Sequence, residues 1–218
     1  MRAATVGTVT IHRDIPDAGS VGNLAGALHY LMGGDPLAGA VARSLSKAVP
    51  SGRITFKEIT ALCGGGAEDA VLVAWKWRLL VPVRTLKSHE WDDRMLLVES
   101  NEVYEVPNIV RFLVEDALAG GGWKPDAALA RLFRVMKEPR WERMPRVIRR
   151  MRQRSKGYRI DGDQIREVCC ELGMGDRMDA MIGGLKGSGV MSPQMAARAE
   201  MARASSPIYE MNPSLFVD

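Results

Sequence analysis

Arginines are the residues in this chain best placed to do chemistry. Between positions 137 and 159 stand Lys137, Arg140, Arg143, Arg146, Arg149, Arg150, Arg152, Arg154, Lys156 and Arg159, opposed only by Glu138 and Glu142. That segment is positive by eight, whereas the whole 218-residue chain is positive by four, so the remainder is net negative. Arg140, Arg143, Arg146, Arg150 and Arg154 recur at three- and four-residue spacing, which lines them along one helical face, while Val147, Ile148 and Met151 supply an apolar one. Guanidinium groups in such a row could neutralise several phosphates and give binding a steep salt dependence. Two other readings remain open. The face could be solvated and paired with acidic residues of the first half, or it could meet an acidic protein.

Other chemistries find little support. His12, His29 and His89 are the only histidines, and none has a serine or cysteine nucleophile setting. Gly64-Gly65-Gly66 lacks the Lys-Ser/Thr of a phosphate loop, and Gly120-Gly121-Gly122 lacks the strand-to-helix context of a dinucleotide site, so both read as turns. Cys63, Cys169 and Cys170 show neither zinc-ligand spacing nor a disulfide framework. Small core residues are the expectation for the equivalent Cys63 and Cys169, with a redox-sensing thiol as the alternative. The chain is therefore read as a non-enzyme without metal or cofactor. No apolar run approaches the roughly 18 to 20 residues of a membrane span, and no secretory signal is evident, so a cytoplasmic location is expected.

The elements that must position these arginines occur twice. An offset of 106 lays Val41 on Val147, Arg43 on Arg149, Arg53 on Arg159, Ile54 on Ile160, Ile59 on Ile165 and Cys63 on Cys169. A four-residue insertion then moves the register to 110, pairing Ala70 with Ala180, Trp75 with Leu185 and Leu80 with Val190. Both copies close on Tyr-Glu, at Tyr104-Glu105 and Tyr209-Glu210. A period of this length suits a duplicated domain better than a solenoid. The division is a segment 1–20, a first repeat 21–119 and a second repeat 120–218, with the glycine run as boundary.

Each copy reads as helix, short strand, helix, turn, helix and hairpin. In the first, these are Leu37 to Val49, Arg53 to Thr55, a brief helix through Ile59, Ala67 to Arg78, and extended pieces Leu79 to Leu86 and Met95 to Glu99. In the second, they are Pro145 to Gln153, Tyr158 to Ile160, Gly162 to Leu172, and Gly175 to Lys186. An extra helix precedes each, Val21 to Met32 matching Asp126 to Met136 at an offset of 105. Helix formers from Pro193 to Arg203 stand where the second hairpin tip belongs, making that wing atypical. The fold class is mainly α with small β-hairpins.

This order resembles a tandem winged-helix protein, the helix-turn-helix variant that carries a β-hairpin wing, at superfamily level. The resemblance implies DNA binding and transcriptional regulation, with the third helix of each copy as the groove-reading element. In the first copy that helix opens on Glu68 and Asp69, a poor approach to phosphate. The second copy offers Arg177 and Lys186, with Gly183 and Gly184 permitting close approach and Asp176 and Asp179 opposing it. Duplex DNA is thus the leading partner and RNA an alternative. A rival reading is a winged-helix adaptor that binds protein, or itself, through the first repeat, with Trp77 and Trp91 as anchors.

Overall fold

The computed structural model describes residues 17–194 and 206–217. The expectations for the first 20 residues and for a helix spanning 193–203 fall almost entirely outside that range. What is described is mainly helical, with two three-stranded antiparallel sheets. No helix among the described residues is long and apolar enough to cross a membrane.

The first half runs α1 (Ala18–Leu31), α2 (Ala38–Ala48), β1 (Arg53–Thr55), α3 (Phe56–Cys63), α4 (Ala67–Lys76), β2 (Val81–Pro82), β3 (Val103–Glu105) and α5 (Asn108–Gly120). The second runs α6 (Pro125–Val135), α7 (Met144–Arg154), β4 (Arg159–Asp161), α8 (Gly162–Glu171), α9 (Met178–Gly187), β5 (Met191–Pro193) and β6 (Ile208–Met211). Strand order is β1-β3-β2 in one sheet and β4-β6-β5 in the other. Ile54 lies opposite Tyr104, and Ile160 opposite Tyr209, so the matched Tyr-Glu pairs occupy matched places on the central strands.

Local chemistry explains the shared corners. Thr55 caps α3 by accepting the Glu58 N–H, while the Glu58 carboxylate accepts from the Thr55 N–H; Asp161 and Gln164 form the same reciprocal box on α8. Such a box satisfies two of the donors that every helix start leaves unpaired. The amide of Val106 donates to the Gly52 carbonyl and that of Met211 to the Tyr158 carbonyl, and both acceptors sit at positive φ, 78° and 66°.

Past the second helix the register differs by one residue from the sequence reading. The Leu79 N–H bonds to Ala74 O and the Val190 N–H to Leu185 O, and Arg78 and Gly189 share a positive φ of 52° and 76°. These place α9 at an offset of 111 from α4, a five-residue insertion in place of four, so Ala70 matches Met181 and Ala74 matches Leu185. All four are buried core residues. Apolar lettering alone could not fix this, because Ala180 and Met181 are both acceptable to a core.

The first hairpin is also built differently. β2 pairs with β3 at 103–105, and Met95 to Glu99 forms no strand; only Thr85 and Arg94 bridge near the tip. β3 is favoured because Tyr104 is fully buried there, with its hydroxyl donating to Leu97 O. That burial pushes the phenol pKa well above its usual range.

One continuous core joins the halves. At the seam, the Ile109 N–H bonds to Ser188 O at 2.9 Å, and the Asn212 side-chain amide donates to both Arg78 O and Gly189 O. Arg78 reaches across to Glu210 with a two-pronged contact, Nε to Oε1 at 3.1 Å and Nη2 to Oε2 at 3.2 Å. Burial pulls the Arg78 pKa down and Glu210 pushes back.

Candidate functional site

α7 carries the arginine row. A short 3-10 turn, Trp141–Arg143, leads into it, Pro145 sits in its first turn, and Arg152 and Arg154 in its last turn suit the negative helix end. Met144, Val147, Ile148 and Met151 are all buried, which forces positions 143, 146, 149, 150 and 154 outward.

Much of that charge is met within the second half. Arg150 Nε lies 3.0 Å from Glu171 on α8, and Arg154 reaches Glu167 at 2.7 Å and Glu171 at 3.3 Å. Arg140 forms a two-pronged contact with Asp176, at 2.7 and 3.0 Å. Arg177 pairs with Glu138 at 3.1 Å, and Arg149 only loosely with Asp126 at 3.5 Å. The sequence reading looked to the first half for compensating acids; the partners instead come from α8, the α8–α9 turn and α6. The reason is α-helical geometry, since Glu167 and Glu171 lie one turn apart on the face that α8 turns to α7. Hydrogen bonds from Arg150 hold the Glu171 carboxyl below its usual pKa, and those from Arg140 do the same for Asp176.

The pairing is incomplete. The carboxylates of Asp126, Glu167, Glu171 and Asp176 take Arg149, Arg154, Arg150 and Arg140, and two arginines of the same face are left without one. Arg146 has no hydrogen-bond or ion-pair partner among the described residues, and Arg143 donates only to the Leu172 carbonyl, at 3.3 Å. With Arg149, Arg150 and Gln153 they flank two adjoining polar grooves of about 440 and 310 Å³ that share Arg146. Lys156 is exposed, its backbone bonded to that of Arg159. Arg152 turns the other way, its guanidinium 4.3 Å from the Tyr158 ring and 5.6 Å from that of Phe216.

The third helices are not joined to this face. Lys186 and Gly183 on α9 look into a cleft of about 590 Å³ whose opposite wall includes His89, Arg94, Glu105 and Asn108 of the first half. Asn108 donates to Gly187 O at 3.3 Å, so the C-terminal end of α9 is covered. On α4, Glu68, Asp69, Leu72 and Lys76 are exposed or partly so. Trp91 is only 6% exposed, and its backbone N–H donates to Ser192 Oγ at 3.0 Å, so it anchors the contact between the halves and not an outer surface. Trp77 is half-buried against the core.

Among the thiols, Cys169 is buried and its pKa pushed up to about 11, an inert setting, while Cys63 is half-buried and Cys170 exposed. No group of His, Cys, Asp and Glu among the described residues is arranged to hold a metal ion. The sequence reading missed Arg78, Arg94 and Asn212, the polar residues of the seam. Its one signal was the repeated Tyr-Glu, whose carboxylates take Arg94 at 3.0 Å in one half and Arg78 in the other.

No curated protein and no solved structure matches the sequence. The model of one uncharacterised family matches residues 26–218, nearly the whole chain, and the protein belongs to that family.

Proposed function

We propose that the chain is a non-enzymatic tandem winged-helix protein, one module copied once, that binds duplex DNA by its phosphate backbone through α7. Support for the duplication comes from the equal strand order, the two capping boxes and the positive-φ corner shared by Arg78 and Gly189. Support for the function comes from one observation above all: Arg146, without a described partner, stands between Arg143 and Arg149 on an exposed groove. Backbone phosphates take this kind of contact without base reading, which suits third helices that are acidic or covered. Arginines held in exposed ion pairs can exchange a carboxylate for a phosphate, because such pairs are weak and screened.

The test is a salt titration of affinity for a duplex of about 20 base pairs, comparing the native protein with Arg146→Ala/Arg149→Ala. Losing two phosphate contacts should cut affinity at least about tenfold and lower the slope of log K against log salt by about two. Equal affinity and slope would rule the assignment out.

A second reading, protein binding through the first half, is favoured by Leu72, half exposed between the acidic start of α4 and Lys76, with Leu62 also exposed nearby in sequence on α3. Weak retention on heparin, with loss of a partner on Leu72→Asp, is its signature.

A further inference from the structure

The cleft of about 590 Å³ where the two halves meet has a volume within the range of small-molecule sites. One wall comes from the first half, through His89, Glu90 and Arg94 of the loop between β2 and β3 and through Glu105; the other comes from α9, through Gly183 and Lys186. Hydrogen bonds tie the walls together around the opening. The Trp91 backbone N–H donates to Ser192 Oγ at 3.0 Å, and the Asn108 side-chain amide to Gly187 O at 3.3 Å. Within the loop, Arg94, whose side chain is only 8% exposed, donates from Nε to His89 O at 3.0 Å and from Nη1 to Pro82 O at 2.7 Å. The cleft is therefore set before a ligand arrives, and filling it requires little ordering of the chain.

Matched positions show where the room comes from. At the offset of 111, Gly183 and Lys186 stand where the first half has Leu72 and Trp75. A Cβ at Gly183 would meet nothing within 4 Å, so the missing side chain leaves open space and not a close packing contact. Opposite charges border that space. Arg94 is taken by Glu105 at 3.0 Å. Lys186 has no hydrogen-bond or ion-pair partner among the described residues, and no direct ion pair joins it to Glu90 on the facing wall. The Glu90 carboxyl is held below its usual range by the Ser88 side chain first and, among smaller causes, by the charge of Lys186. A bare anion placed here would meet Glu90, a bare cation would meet Lys186, and an uncharged molecule would strip water from both without replacing it.

We propose that this cleft binds a small zwitterion, an α-amino acid or a dipeptide, whose carboxylate takes Lys186 and whose ammonium takes Glu90. The rest of the molecule lies against the apolar edges of Pro107 and Pro193, which also line the cleft. Both charged contacts are of the short, strong kind, and together they demand both ends of the ligand. The proposal is independent of phosphate binding by Arg146, which borders other grooves and not this one.

The test is a thermal-shift screen of the full chain against each of the common L-amino acids and their glycyl dipeptides at about 10 mM, followed by titration calorimetry of the best compound. At least one compound is expected to raise Tm, because a ligand that binds only the folded state stabilises it. The C-terminal amide and the N-acetyl derivative of that compound each lack one charge and should bind at least about tenfold more weakly; Lys186→Met and Glu90→Gln should weaken the parent compound by a similar factor. Gly183→Leu returns the first half's residue to a helix position with open space, and should abolish binding while circular dichroism is unchanged. Arg146→Ala should leave this binding intact while weakening duplex binding, which separates the proposal from the previous one. Tighter binding of a dipeptide than of its free amino acids supports the proposal and names the longer ligand. No rise in Tm with any compound, binding retained by Gly183→Leu, or equal binding of the N-acetyl derivative, the mark of a plain anion site, overturns it.

Discussion

α2 and α7 occupy matched places, yet one is swallowed by its half and the other exposed. At the offset of 106, Arg146, Arg150, Arg152 and Arg154 fall on Ala40, Ser44, Ser46 and Ala48. Ser44, Ser46 and Ala48 are buried, with the Ser44 hydroxyl returned to the Ala40 carbonyl at 3.0 Å. α1 packs along α2, and α5 closes over both. Ala40 and Ser44 meet Cys63 on α3, Ser44 Oγ at 3.7 Å, whereas Arg150 and Arg154 span the matching gap to Glu171 and Glu167 on α8. The difference teaches that matched helix positions can be closed either by small side chains packed tightly or by long ones paired across the gap, according to what the neighbouring helix offers.

Removing the cover should be the costliest way to disturb this arrangement. Leu113 of α5 is fully buried, and Leu113→Ala should destabilise the protein by about 2–5 kcal/mol in urea titration. Next comes the corner shared by Arg78 and Gly189. A Cβ on Gly189 would lie 2.5 Å from Pro107 Cβ, and its φ of 76° disfavours any side chain. Gly189→Ala should therefore cost about 2–3 kcal/mol and lower Tm by roughly 5–10 °C. At Arg78 the strain of the same region of φ is offset by a side chain that bridges the seam to Glu210 and stacks 3.8 Å over the Trp75 ring. A stable Gly189→Ala protein would mean that the halves do not meet as described.

A smaller effect separates the two halves electrically. Glu171→Gln removes the one carboxylate held by Arg150 and the weaker of the two held by Arg154, and should raise duplex affinity severalfold with a steeper salt slope, whereas Glu58→Gln in the first half should leave affinity unchanged. The smallest concerns pH. The carboxyls of Glu171 and Asp176 titrate below their usual values because arginines bind their charged forms. Their contribution to stability is complete above the ordinary carboxylate range and is lost as pH falls through and below it. In that window duplex affinity should rise as arginines are freed. The variant Glu171→Gln/Asp176→Asn should flatten both trends, and an unaltered acid limb would assign it to other groups, such as Glu58, whose pKa its Thr55 cap lowers.

The element order was legible in the sequence because it rests on short-range physics. Amphipathic spacing marks α2 and α7, and Thr55 to Glu58 and Asp161 to Gln164 have the spacing of capping boxes. The glycines at 52 and 121 take up positive φ where chains must turn. The duplication signal was equally local, since it compares like with like along one chain. The outward direction of Arg143, Arg146, Arg150 and Arg154 was legible too, because a helix with Met144, Val147, Ile148 and Met151 inward turns those positions away from the core, while Arg152 goes instead to the Tyr158 and Phe216 rings.

What those arginines meet was decided by tertiary structure alone. Glu167 and Glu171 are ordinary surface residues in the sequence, and nothing local says that α8 brings them to 2.7 Å from Arg154 and 2.8 Å from Arg150. The same holds for Trp91, Arg78 and Glu210, whose pairing depends on how two separately legible halves pack. Periodicity tells each helix which side is inward and is silent on the neighbour that supplies the inside. Burial, ion pairing and the cleft beside α9 are properties of that neighbour, and only the assembled fold determines them.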